Sequence, residues 1–154
     1  LYAVPSFLYY FLQTQFPGVK IVHSTTPNVI PALTKRSSEH LDAAIANLVF
    51  SRDGVSIVVV ENNMLKLCNK FKFKEVTDIV YIVLYTLEQL GLNNGKTRIV
   101  ISGDLARTDA RAQLMRRFAH NVSLAKLPDY FDYEVRVPQP EHQFVNLLNM
   151  SLCV

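Results

Sequence analysis

Cysteine is scarce in this chain, and the scarcity removes several classes of protein at once. Cys68 and Cys153 are the only two among 154 residues. They match no zinc or redox spacing, and two thiols do not make a disulfide scaffold. Reduced, mostly buried thiols follow, which fits a cytoplasmic protein. Long apolar runs are also missing. The stretch Phe7-Leu8-Tyr9-Tyr10-Phe11-Leu12 falls far short of the roughly 20 residues that span a bilayer. No basic stretch precedes it, so it is not a signal peptide, and no membrane insertion is expected. Charge of one sign is not in large excess either, with 16 Lys and Arg against 13 Asp and Glu. Nucleic-acid binders gather basic charge on one face, and no nucleic-acid partner is expected here.

Chemistry-bearing motifs are thin. There is no phosphate-binding loop of the P-loop type. His23, His40, His120 and His142 are scattered without metal-ligand spacing. Ser24, Ser51 and Ser102 lack the context of a nucleophile elbow. The acidic cluster of two-metal nucleases needs an Asp within the first strand, and Ala43 to Phe50 has none. No catalytic residue and no metal ligand emerges.

What is present is a globular composition, with 49% hydrophobic and 19% charged residues. That supports one sizeable core. The chain begins at Leu1 rather than Met, and is read as part of a longer protein. Val4 to Gln15 reads as a helix with Pro5 in its first turn, stopped by Phe16-Pro17-Gly18. Val19 to His23 reads as a short strand. Asn28 to Lys35 reads as a helix capped by Thr26 or Asn28, with Pro31 in its first turn. A polar linker follows from Arg36 to His40.

The pattern changes near Ala43. Ala44 to Ser51 is a strand, and Arg52-Asp53-Gly54 is a hairpin turn in which Gly54 supplies positive φ. Val55 to Glu61 is apolar on both faces and belongs in the centre of a sheet. Asn62-Asn63 is a second turn. Met64 to Phe73 alternates, placing Leu65, Leu67, Phe71 and Phe73 on one face and Lys66, Lys70 and Lys72, with Lys74 beyond, on the other. The lysine row is either a track for an acidic partner or a protected edge strand.

Glu75 to Leu90 is a helix with acidic residues in its first turn and Gly91 at its end. Its core stripe runs through Val76, Ile79, Val80, Val83, Leu84, Leu87 and Leu90. Tyr81 and Tyr85 either border that core or mark a partner surface. Thr97 to Ser102 is a buried strand leading into Gly103-Asp104, with Asp104 as N-cap of a helix from Leu105 to His120. In that helix Leu114, Met115 and Phe118 face inward, and Arg107, Arg111, Arg116 and Arg117 face out. Val122 to Leu127 is a last strand. Pro128, Pro138 and Pro140 mark an irregular excursion around Tyr130, Phe131 and Tyr133. Gln143 to Cys153 is an apolar helix.

Tight turns make the first three strands antiparallel, and helical crossovers make the later ones parallel and right-handed. The expected fold class is α/β, ribonuclease-H-like or actin-like, with a mixed five-stranded sheet and helices on both faces. Residues 1–41 then read as the closing α-β-α of a first such subdomain, and residues 42–154 as a second.

Three strings carry a resemblance: Met64-Leu65-Lys66-Leu67-Cys68-Asn69-Lys70-Phe71-Lys72-Phe73, Asp78-Ile79-Val80-Tyr81-Ile82-Val83-Leu84 and Ile99-Val100-Ile101-Ser102-Gly103-Asp104. Tyr2-Ala3-Val4-Pro5 and Phe144-Val145-Asn146-Leu147-Leu148 add to it. The chain resembles a bacterial family of unknown function with an actin-like ATPase fold, distantly like the actin-like adaptors of pilus assembly and type II secretion. The resemblance implies longer relatives with another half-domain, a fold and a style of function, but no chemistry.

Actin-like ATPases hold phosphates on hairpin turns and Mg²⁺ through carboxylates and water. The corresponding residues here are Asp53 and Gly54 in the first hairpin and Gly103 and Asp104 after the buried strand. The hairpin lacks a Gly-Thr run, and Asp104 replaces a second glycine. Expected, therefore, is a non-catalytic scaffold or adaptor that binds a protein partner, needs no cofactor and is prone to self-association. The alternative is an ATPase that binds ATP and Mg²⁺ with part of its site outside this chain.

Overall fold

The computed structural model of the chain describes residues 3–34, 44–106, 108–134 and 140–153. Its sheet contains β1 (Ile45–Ser51), β2 (Gly54–Glu61), β3 (Met64–Phe71), β4 (Arg98–Gly103) and β5 (Val122–Leu124). They lie in the order β3-β2-β1-β4-β5. The first three pair antiparallel, and β4 and β5 join in parallel.

Local chemistry explains the meander. Asn62 and Asn63 sit at φ 51° and 57°, the doubly left-handed pair that matches the twist of a two-residue hairpin. The first hairpin works differently from expectation. Gly54 does not adopt the left-handed region. It is required because a Cβ there would overlap the backbone carbonyl of Phe71.

β2 lies between β1 and β3, and Val55, Ile57, Val58, Val59 and Val60 are all buried. β3 forms the edge and carries a bulge. Val59 pairs with Leu67 and Val60 with Leu65, leaving Lys66 without a partner. The slip turns Leu65 to the face opposite Leu67, and Leu65 is 44% exposed. Four apolar residues on one face, read from strict alternation, thus become three.

One sheet face carries the main core. There Ala46, Leu48, Phe50, Val55, Ile57, Val59, Ile99 and Ile101 meet helices α3 (Val76–Gln89) and α4 (Ala110–Phe118). The Asp78 carboxylate accepts the N–H groups of Lys74 and Glu75, each at 3.0 Å. Gly91 at φ 70° ends the α3 helix. α4 begins later than expected, because Asp109 and not Asp104 is its N-cap and accepts from Arg111 N–H at 2.9 Å. Leu105 instead enters the core. Phe118 points out, and Ala112, Met115 and Ala119 fill the contact.

The other face is covered by α2 (Thr26–Thr34) and α5 (Val145–Asn149). Ala32 packs there on Val58 and Val60, with Val29, Leu33 and Cys68 around them. Thr26 and Asn28 lie inside α2 rather than ahead of it. Pro31 is an interior residue, which removes one backbone hydrogen bond. The C-terminal segment is not one helix. It breaks into a 3-10 turn at Glu141–Gln143, α5, and a second 3-10 turn at Met150–Cys153, with Leu147 and Met150 exposed.

Helix α1 (Ser6–Gln15) starts after Pro5 and buries none of its residues. Val19 to His23 form no strand, since no sheet edge among the described residues pairs with them. The Val19 carbonyl instead accepts from Gln13 Nε2 at 3.0 Å. Arg107, Pro138 and the linker 36–40 lie outside the described residues. No helix among the described residues is long and apolar enough to cross a membrane.

Candidate functional site

Parallel pairing of β1 with β4 sets Phe50 opposite Gly103, and Asp104 N–H donates to the Phe50 carbonyl at 2.9 Å. The Ser51–Gly54 hairpin and the Gly103-Asp104 turn therefore share one end of the sheet. That carboxyl end is where open α/β sheets take ligands. Asp53, Gly54, Gly103 and Asp104 are thus brought together.

Asp53 and Gly103 are already committed within the fold. The Lys70 ammonium holds the Asp53 carboxylate at 2.8 and 2.9 Å, and Ser51 Oγ donates to it at 2.9 Å. The Lys70 bond first, and then the Ser51 hydroxyl, lower the Asp53 pKa to about 2. Gly103 sits at φ 95°, and a Cβ there would overlap the Phe50 backbone. Its glycine is needed for strand contact.

Beside them lies a cluster that sequence spacing did not single out. Arg111 meets Asp109 through Nε at 2.8 Å and Nη2 at 2.6 Å. The same guanidinium donates to the Asp104 carbonyl at 3.0 Å and lies 5.0 Å over the Phe50 ring. Hydrogen bonding to Arg111 holds the Asp109 carboxyl below its ordinary range, and the same bond raises the Arg111 pKa. Buried His142 and neighbouring Gln143 both donate to the Leu105 carbonyl, at 2.9 and 3.1 Å. These bonds tie the C-terminal segment to the same turn.

A second feature lies on the α2/α5 face. A cavity of about 490 Å³ opens between the sheet and these two helices. None of Asp53, Gly54, Gly103 and Asp104 lines it. Asn47, Val100, Ser102 and Ser123 form part of its floor, and Asn28 and Asn149 part of its roof. The signal was present in the sequence: Asn47 interrupts the apolar β1 strand at its middle. Among the described residues, no group of three or more His, Cys, Asp or Glu side chains is placed to hold a metal ion.

An antiparallel meander, followed by two parallel strands added beside the first, with paired turns at one end of the sheet, defines an α/β protein of the actin-like ATPase fold. The chain belongs to the family of proteins of unknown function DUF3822, whose model matches residues 1–122. Among solved structures it is similar to a Bacteroides thetaiotaomicron VPI-5482 protein with an actin-like ATPase fold and unknown function, with TM-score 0.70 and 19% identity. That match covers 95% of this chain and 51% of the other, so the chain spans about half the neighbour's length. At this identity the likeness shows the fold alone. No curated protein matches the sequence.

Proposed function

We propose that the chain is part of a non-catalytic actin-like scaffold or adaptor that works through protein–protein contacts. The observation that carries this reading is the closure of Asp53. A carboxylate bound by an ammonium at 2.8 Å and a hydroxyl at 2.9 Å has its charge partnered within the chain, which weighs against a role in holding hydrated Mg²⁺. Exposed aromatic surface supports the same reading. Tyr81 and Tyr85 are stacked at 5.7 Å on the outer side of α3 and are 68% and 48% exposed. Phe7, Tyr10 and Phe11 on α1 are 77%, 68% and 58% exposed, a surface that protein contact covers.

Calorimetry on the full-length protein with ATP and Mg²⁺ tests the proposal. The expected result is no heat of binding. Micromolar binding sinks the adaptor reading.

The second reading, nucleotide binding, is favoured by the shared strand end of the two turns. In that reading ATP–Mg²⁺ displaces Lys70, so Lys70→Met frees Asp53 and tightens binding. An unchanged blank titration with Lys70→Met removes it. Nucleic-acid binding through the lysine row draws less support, because Lys66 and Lys70 are paired with Glu61 and Asp53.

A further inference from the structure

We infer that the cavity on the α2/α5 face binds a small organic anion, a carboxylate carried on an apolar body. The inference does not rest on the adaptor reading and concerns a different part of the sheet.

Charge is the first support. Arg98 and Lys126 line the cavity against a single acidic residue, Asp129. Two cations and one carboxylate leave the lining one positive charge in excess. Ion pairs among the described residues join Lys66 to Glu61, Lys70 to Asp53 and Arg111 to Asp109. None of them uses Arg98, Lys126 or Asp129. Lys126 and Asp129 share the short segment that follows β5, so Asp129 offsets the charge at that end. Arg98, at the exposed start of β4, has no acidic counterpart in the lining. Its planar fork matches a carboxylate through two parallel hydrogen bonds.

Register places a second polar group beside it. Arg98 pairs with Ile45, and Val100 with Asn47. Arg98 and Asn47 are therefore diagonal neighbours, with Cα atoms roughly 8 Å apart and within reach of each other's long side chains. Asn47 is half-buried at the middle of β1, and its carboxamide makes no hydrogen bond to the described residues. It remains open to the cavity, unlike Asn28 Oδ1 and Ser123 Oγ, which are sealed off and take no part in the site. From the roof, Asn149 is 7% exposed. Its Oδ1 is engaged by the Tyr130 hydroxyl at 2.7 Å, which leaves its amide N–H groups as donors. Donors and positive charge together select an acceptor with negative charge.

The rest of the space is apolar. Val100 and Val49 continue the floor away from Arg98, and Pro31 and Ala32 of α2 lie opposite. An apolar body laid along Val100 loses its contact with water there, the usual source of affinity in such sites. A volume of about 490 Å³ lies within the ordinary range for small-molecule sites.

The test titrates sodium octanoate into the full-length protein and follows the Asn47 side-chain amide and Val100 methyl NMR signals. Asn62 and Asn63, in the distant turn, serve as controls. The expected result is a saturable shift of the first pair alone, with a Kd on the order of 1 mM for so small a ligand. Arg98→Gln removes the unmatched charge and raises that Kd at least about fivefold. Val100→Phe fills the floor without touching the charge and abolishes binding, read at Asn47. Octylammonium, with the same chain and the opposite charge, and 1-octanol, with none, bind at least about tenfold more weakly. No saturable shift, an equal Kd for octylammonium or 1-octanol, or a Kd unchanged in either variant overturns the inference.

Discussion

The turns at the carboxyl ends of β1 and β4 and the cavity under α2 and α5 are both places where an α/β sheet can take a ligand, and they are finished in opposite ways. At the turns, Asp53 is held by Lys70 and Ser51, Arg111 by Asp109 and the Asp104 carbonyl, and the Leu105 carbonyl by His142 and Gln143. In the cavity, Asn28 and Ser123 each leave an oxygen unpartnered. Internally saturated polar groups stabilise and position. Unsaturated ones cost stability. Position in the fold points to the turns; the charge of the lining points to the cavity.

The comparison breaks first, and with the largest effect, at Gly103. Gly103→Ala puts a Cβ into the Phe50 backbone at a left-handed φ, which strains the chain and separates β1 from β4. A loss of at least about 3 kcal/mol in urea unfolding is expected, the upper end of a single strained backbone position. A loss below 1 kcal/mol would show that the two strands do not meet as closely as described. For the same reason this variant is a poor probe of nucleotide binding: it damages the sheet before it touches a ligand.

Arg111 is next. Arg111→Ala removes a bidentate pair with a largely covered Asp109, a bond to the Asp104 carbonyl and a contact over Phe50. Charge-assisted bonds and cation–π contact at a partly covered site sum to about 1–2 kcal/mol. The α4 N-cap survives, because Asp109 still accepts from the backbone N–H at position 111. Equal loss from Arg111→Lys would show that planar geometry matters there.

At Asn28 the sign reverses. Asn28→Leu replaces an unpaired buried carboxamide by an apolar side chain of similar size, so the unliganded protein gains about 1 kcal/mol. Thermal unfolding reads this as a rise of about 2–4 °C. A fall of similar size would mean that Asn28 supports the fold, and the contrast between turns and cavity would lose its sharpest member.

The features legible in the sequence were those set by local pattern. The meander, the α3 helix with Asp78 and Gly91, the central position of β2 and the edge position of β3 all follow from periodicity and turn residues. What was not legible depends on contacts distant in sequence. The start of α4 hinged on whether Leu105 enters the core or begins a helix, and only the packing decides that. The bulge at Lys66 comes from pairing across to Val59 and Val60, not from β3 itself. Val19 to His23 has strand-like residues but joins none of the five strands of the described sheet. The four turn residues could be named because their place is fixed by strand order. The cavity could not, because Asn28, Asn47, Ser123 and Asn149 meet only when α2 and α5 close over the sheet. Even so, an Asn at the centre of an apolar strand was a visible irregularity.

The smallest effect is at Asp53, and it tests whether the turn is saturated in solution. The Asp53 pKa falls from 3.8 in the unfolded chain to about 2 in the folded protein, chiefly through Lys70. A depressed carboxyl stabilises the fold above its unfolded pKa, and that share is lost as pH falls through the folded value. The window therefore lies between about pH 4 and pH 2. In Asp53→Asn the contribution is absent throughout, so the gap in unfolding midpoint between wild type and variant closes across that window. The Asp53 side chain is 64% exposed, and salt screens such pairs, so the gap also narrows in molar NaCl. A gap that stays constant from about pH 5 to pH 2 would mean that Lys70 does not hold Asp53 in solution. The carboxylate would then be free to meet a hydrated cation, and the turns would stand open beside the cavity as a second unfilled site.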